Sequence, residues 1–205
     1  MPFSRPGILL AIAAAGIAGY WIASSAEPES PGTASVPGAE VVPLMDGDYF
    51  PAVHEALQAA RRSILCVMYR AGYNPDRPEY RETVLIEDLV AAHKRGVAVE
   101  AVFDANKTYW EKSPEERENL EEKNKEAMAR LKKAGVPTFV DSLDTVTHSK
   151  IIIVDGETVF LGSTNWTGAA LKDNHEANVR IRSKEIAARF LEALKKIGFI
   201  REFRG

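Results

Sequence analysis

The stretch Thr147-His148-Ser149-Lys150-Ile151-Ile152-Ile153-Val154-Asp155-Gly156-Glu157-Thr158-Val159-Phe160-Leu161-Gly162-Ser163-Thr164-Asn165-Trp166 holds two short apolar runs on either side of Asp155-Gly156. That dipeptide is the favoured centre of a tight β-hairpin turn. Residues two apart on a strand face the same way, so His148 and Lys150 project together. A turn at Asp155-Gly156 sets His148 opposite Ser163 and Lys150 opposite Leu161. A turn at Gly156-Glu157 sets Lys150 opposite Ser163 and His148 opposite Asn165. Either register gathers His148, Lys150, Ser163 and Asn165 at the open end of one hairpin.

An imidazole, an ammonium, a hydroxyl and a carboxamide at one strand end suit a phosphate group. Lysine supplies a point charge, while the hydroxyl and amide supply neutral donors to non-bridging oxygens. Histidine is the group able to attack or carry a proton near neutral pH. Taken singly, a surface His-x-Lys or a Ser-x-Asn after glycine is an ordinary strand or turn; their coincidence on one hairpin points to chemistry.

Working outward, helical and strand periods alternate. Val53, Ala56, Leu57 and Ala60 share a helical face within 51–60, and the apolar run 64–69 reads as a buried strand. A second helix over 83–94 ends at Gly96 and leads into strand 97–103. Ser113-Pro114-Glu115-Glu116 opens a long charged helix that stops at Gly135. A short strand at 138–140 and a closing helix at 183–197 complete the pattern. This predicts an α/β fold with a mixed, largely parallel sheet flanked by helices on both faces. The dense charge of 111–126 reads as a solvated helix face.

The chain has 205 residues, 45% hydrophobic and 27% charged, with a formal net charge of −3. That suits one α/β domain and argues against a broad basic face for nucleic acid. The single cysteine, Cys66, rules out an internal disulfide and reads as a buried strand thiol. Residues 1–26 carry Arg5 and then an uncharged apolar run, which reads as a signal peptide or membrane anchor. The positive charge before the run places the body of the protein outside the cytoplasm, periplasmic or secreted. Residues 27–42 form a Pro/Gly/Ser-rich linker, so the folded domain is expected over 43–205.

The motif resembles that of the phospholipase D superfamily: His148-Ser149-Lys150, Asp155, then Gly162-Ser163-Thr164-Asn165. Downstream, Asn174-His175-Glu176 is similar to the family's Asn-x-Glu segment, and the resemblance gives Glu176 the task of orienting the catalytic histidine. It implies a metal-independent phosphodiester hydrolase without cofactor, with His148, Lys150 and Glu176 catalytic. Lys150, Ser163 and Asn165 would hold the phosphate, and Asp155 and Gly162 would shape the hairpin. One histidine attacks phosphorus and another protonates the leaving oxygen. His54, His93 and His175 lie in no second His-x-Lys, so the second His148 should come from another subunit of a homodimer with a composite site. This is the single-motif branch, which comprises small bacterial endonucleases and a mitochondrial membrane-anchored lipase or nuclease.

The acidic balance and the N-terminal apolar segment favour a phospholipid substrate; the compact nuclease-like size favours DNA or RNA. Tyr69, Tyr73, Tyr109, Trp110 and Trp166 are candidate groove linings for bases or acyl chains. A membrane-held, inactive phosphate-binding scaffold has no need of a nucleophile with its orienting carboxylate, and a metal-dependent phosphodiesterase needs a His/carboxylate cluster that the sequence lacks.

Overall fold

A computed structural model describes residues 36–104, 114–141 and 145–195. The apolar segment 1–26, most of the linker, Tyr109, Trp110 and the Ser113 cap lie outside the described residues. In chain order the elements are β1 (Glu40–Met45), α1 (Tyr49–Ala59), β2 (Ser63–Met68), α2 (Arg81–Lys94), β3 (Ala98–Phe103), α3 (Pro114–Lys133) and β4 (Thr138–Val140). They continue with β5 (Lys150–Val154), β6 (Thr158–Gly162), α4 (Gly168–Lys172), β7 (Ala177–Arg182) and α5 (Lys184–Lys195). The first strand thus takes in Glu40 to Val42, which the composition assigns to the linker.

The seven strands form one sheet in the order β1-β7-β6-β5-β2-β3-β4. It is mixed, as expected, but the parallel part is confined to β2-β3-β4. The other pairings are antiparallel, because β5, β6 and β7 follow one another without a crossover helix long enough to reverse direction. Alternate residues of β2 feed two separate cores. Ile64, Cys66 and Met68 pack with α1, α2 and α3, while Leu65 and Val67 pack with Ala187 and Leu194 of α5. Both faces of the central strands are therefore dry, which is why their sequence is continuously apolar rather than alternating.

The hairpin β5–β6 pairs Ile151 with Leu161 and Val154 with Thr158, so both registers expected from the sequence are off by one. The Asp155-Gly156 turn does form, with both residues at positive φ and Glu157 N–H donating to the Val154 carbonyl. Glu157 is then an extra residue on the β6 side, a bulge that shifts every later pair. The Asp155 carboxylate reaches across to the start of β2, accepting the N–H groups of Arg62 at 2.7 Å, Ser63 at 3.0 Å and Arg61 at 3.1 Å. Burial pushes its pKa up, but these backbone donors outweigh burial and leave it below the usual aspartate value.

A depressed folded pKa contributes stability that is present above the unfolded value of about 3.9 and is lost as pH falls through the folded value. Asp155→Ala is expected to cost about 2 kcal/mol near neutrality by urea denaturation, and markedly less below that window. An equal loss at both pH values would show that the carboxylate charge is not what holds the turn.

Candidate active site

The carboxyl ends of β2, β3 and β6 and the amino ends of the antiparallel β5 and β7 meet at one edge of the sheet. That geometry collects Tyr69 and Arg70 after β2, Asp104 after β3, His148 before and Lys150 at the start of β5, Ser163 to Asn165 after β6, and Glu176 before β7. Ligand sites of α/β sheets lie at such an edge.

His148 is exposed, and no hydrogen bond reaches its ring nitrogens among the described residues. The ring stands edge-on to Tyr69, 4.4 Å between centroids. The backbone beneath it is fixed by Thr147 N–H, which donates to Asp104 at 2.8 Å and Asp141 at 3.1 Å, and by Tyr69 N–H donating to Ser149. Burial of the ring, then the charges of Lys150 and Arg70, hold the imidazole below its ordinary pKa. These effects favour the neutral form, which a nucleophile requires.

Lys150 is buried, its ammonium donating to the His148 carbonyl at 2.7 Å and lying 4.8 Å from the Tyr69 ring centroid. Burial and Arg70 push its pKa down, against the pull of Glu176 and Asp104.

Glu176 is buried. Asp46 clamps its backbone in both directions, Asp46 N–H to the Glu176 carbonyl at 2.9 Å and Glu176 N–H to the Asp46 carboxylate at 2.7 Å. Its side chain accepts the Ser163 hydroxyl and the Asn174 amide, the latter at 3.0 Å; within the same chain it makes no hydrogen bond to His148 among the described residues. Ser163 in turn accepts Ala177 N–H at 3.1 Å. The Asn165 carboxamide has its Oδ1 buried without a partner among the described residues, so its hydrogen-bonding capacity is unspent. His175 is exposed, with its Nδ1 3.2 Å from the Asp46 carboxylate.

Gly162 and Asn178 explain how the Ser163 to Asn165 loop keeps its shape. Asn178 lies across Gly162 and its carboxamide takes Thr164 N–H at 3.2 Å, while donating to the Thr164 hydroxyl at 2.8 Å and the Leu44 carbonyl at 3.4 Å. A methyl group on residue 162 would collide with Asn178 Oδ1 and stand 2.5 Å from the Ala177 carbonyl oxygen. Backbone cannot yield as a side chain can, so Gly162→Ala is expected to destabilise the fold by about 3 kcal/mol. Chemical denaturation measures this, and a change under about 0.5 kcal/mol would mean that the loop adapts.

The aromatic groove expected from the sequence is mostly absorbed by packing. Trp166 is fully buried, its indole N–H donating to the Tyr49 hydroxyl at 3.3 Å, and Tyr73 donates to Glu87. Of the described candidates only Tyr69 is at the site. Sequence reasoning missed Arg70, Asp46, Asp104, Asn178 and the buried Asn124. The Asn124 amide donates to the carbonyls of Tyr69 and Asp104 and so ties the ends of β2 and β3 together. Polar residues inside or just after apolar strands were the available signal.

Residues 53–197 match the family described as cardiolipin synthase, PLD-like domain. The chain is 30% identical to a phospholipase D of Rickettsia felis over 111 residues, 54% of this chain and 49% of that protein. It is 28% identical to mitochondrial cardiolipin hydrolase of Homo sapiens over 163 residues, 78% of this chain and 59% of that protein. The chain therefore spans about half the length of the first of these relatives. Among solved structures, the phospholipase D family member Nuc of Salmonella typhimurium superposes with a TM-score of 0.62 at 29% identity, covering 82% of this chain and 99% of Nuc. A match over most of the folded part, together with one His-Lys-Asp motif on the observed sheet, makes the chain a member of the phospholipase D superfamily, in its single-motif branch.

Proposed function

We propose that the chain hydrolyses phospholipids as a phospholipase D-type enzyme, through a phosphohistidine on His148 and without a metal ion. The observation that carries the chemistry is an exposed imidazole with no hydrogen bond among the described residues, favoured in its neutral form beside a buried Lys150. In this reading the neutral His148 attacks phosphorus as the bond to the alcohol oxygen breaks, and the His148 of a second subunit, in its protonated form, gives that oxygen its proton. Water then attacks the phosphohistidine with the same second imidazole taking a proton, which returns both groups to their starting state. Lys150 and the Asn165 amide hold the non-bridging oxygens, while Ser163, whose hydroxyl donates to Glu176, fixes the loop that carries Asn165 instead of donating to the phosphate as the sequence suggested.

A lipid rather than a nucleic-acid diester is supported by the surface around the site. Phe139 and Val140 at the end of β4, and Met45 at the end of β1, are exposed apolar side chains on the two sheet edges next to the site. The printed names of the Rickettsia and human relatives, and the apolar segment at 1–26, point the same way. The second reading, an endonuclease, is favoured by the coverage of Nuc and the size of the folded part.

The test is turnover by the full-length chain in EDTA, on phospholipid vesicles and on DNA and RNA in parallel. Release of head group with intact nucleic acid supports the proposal. Cleaved nucleic acid with intact lipid establishes the second reading, and loss of all turnover on chelation overturns the metal-free mechanism.

A further inference from the structure

Tyr69 carries two cations on one ring. The Lys150 ammonium lies 4.8 Å and the Arg70 guanidinium 5.1 Å from its centroid, while His148 stands against the same ring at 4.4 Å. An aromatic face holds a cation in place without neutralising it, which a carboxylate would do. Arg70 forms no salt bridge among the described residues, and its Nε is buried without a hydrogen-bond partner. Of the carboxylates at the site, Glu176 is already engaged by Ser163 and Asn174, and Asp104 accepts Thr147 N–H. Lys150 is sunk beneath the surface, whereas Arg70 is only half-buried. One cation is thus placed for the scissile phosphate, and the other stands beside it with its charge unspent.

We propose that Arg70 is a head-group specificity residue, which favours phosphodiesters whose leaving alcohol is neutral or anionic over those whose leaving alcohol carries a quaternary ammonium. The inference rests on the phospholipid reading above. A choline group sits within a few ångströms of its phosphate and meets Arg70 as a like charge. A glycerol head group meets a five-donor fork able to take its hydroxyls, and an added anionic group meets an opposite charge. Both contacts exist before the bond breaks, so the discrimination falls on KM more than on kcat.

The experiment compares kcat/KM of the full-length chain on short-chain phosphatidylglycerol and phosphatidylcholine, both below their micellar concentration so that vesicle charge plays no part. Wild type, Arg70→Gln and Arg70→Lys are measured at low and high salt. The expected result is a preference for phosphatidylglycerol that falls about fivefold to tenfold in Arg70→Gln, mainly through KM, is partly kept in Arg70→Lys, and weakens with salt. An unchanged ratio in Arg70→Gln, with both lipids still hydrolysed, overturns the role of Arg70 alone. A wild-type chain that hydrolyses neither lipid but cleaves single-stranded DNA overturns the lipid reading and the head-group assignment with it.

Discussion

His148→Asn is expected to lower turnover by about 10⁴-fold or more on every phosphodiester substrate while leaving the fold as stable as the parent. In the proposed mechanism activity falls so far because the residue forms the bond to phosphorus, and in a two-histidine site the same change removes the proton donor from the opposite subunit. Stability is spared because the imidazole is exposed and makes no hydrogen bond among the described residues, with an edge-type ring contact to Tyr69. Substitutions of that kind stay within about 0.5 kcal/mol. Urea denaturation beside initial rates checks both halves. A stable variant with full activity would remove His148 from the mechanism. The acid side of the rate profile carries a second signature. The neutral imidazole attacks, and its pKa is depressed by burial and by Lys150 and Arg70. Because the partner imidazole must be protonated to release the alcohol, the rate should pass through a maximum displaced to the acid side of the usual histidine value of about 6.5, and fall both above and below it.

Much of this architecture is legible in the sequence, because long amphipathic helices and continuously apolar strands report their own period. Helices α1, α2 and α3 and strands β2, β3 and β4 sit within a few residues of the expectation. The edges are different. Pro43 inside Glu40–Met45 resembles the linker before it, yet proline is tolerated on an edge strand, where β1 has only β7 as a neighbour. The hairpin register failed by one because a turn dipeptide fixes where the chain reverses and does not disclose a bulge after it. The parallel expectation failed beyond β5 because strand direction depends on what connects the strands, and nothing in β5 to β7 supplies a crossover. At the site, the motif places His148, Lys150, Ser163, Asn165 and Glu176 on one sheet edge without help from the structure. The contributions of Arg70 and Asn178 depend on a ring and a glycine that bring distant residues together, Arg70 to Lys150 through Tyr69 and Asn178 to Thr164 across Gly162. No local pattern encodes such meetings.

The proposed composite site makes a quantitative demand that a self-sufficient chain does not. If each reaction draws one His148 from each of two subunits, random mixing of wild-type and His148→Asn chains leaves activity proportional to the square of the wild-type fraction. An equal mixture co-refolded at fixed total concentration then retains about a quarter of the activity, against about half if every chain works alone. The leaving group separates the two histidine roles. A nitrophenolate departs without a proton, so a mixed dimer with one His148 can still be phosphorylated on it. It lacks the imidazole that would activate water for the second step. Mixed dimers are therefore expected to give a burst of up to one nitrophenolate per dimer followed by slow turnover, and no burst of alcohol from a glycerol diester, whose alkoxide must be protonated to leave. A linear dependence on the wild-type fraction with both substrates, or full activity in a chain that sediments as a monomer during turnover, would place the second proton carrier within the same subunit. Of the remaining histidines, His54 is held by Asp88 at 2.6 Å between α1 and α2, His93 lies in the last turn of α2 with its ring beside Gly135, and His175 lies on Asp46 behind Glu176. In the proposed mechanism the partner subunit's His148 is the proton carrier, and the square law is its measurable consequence.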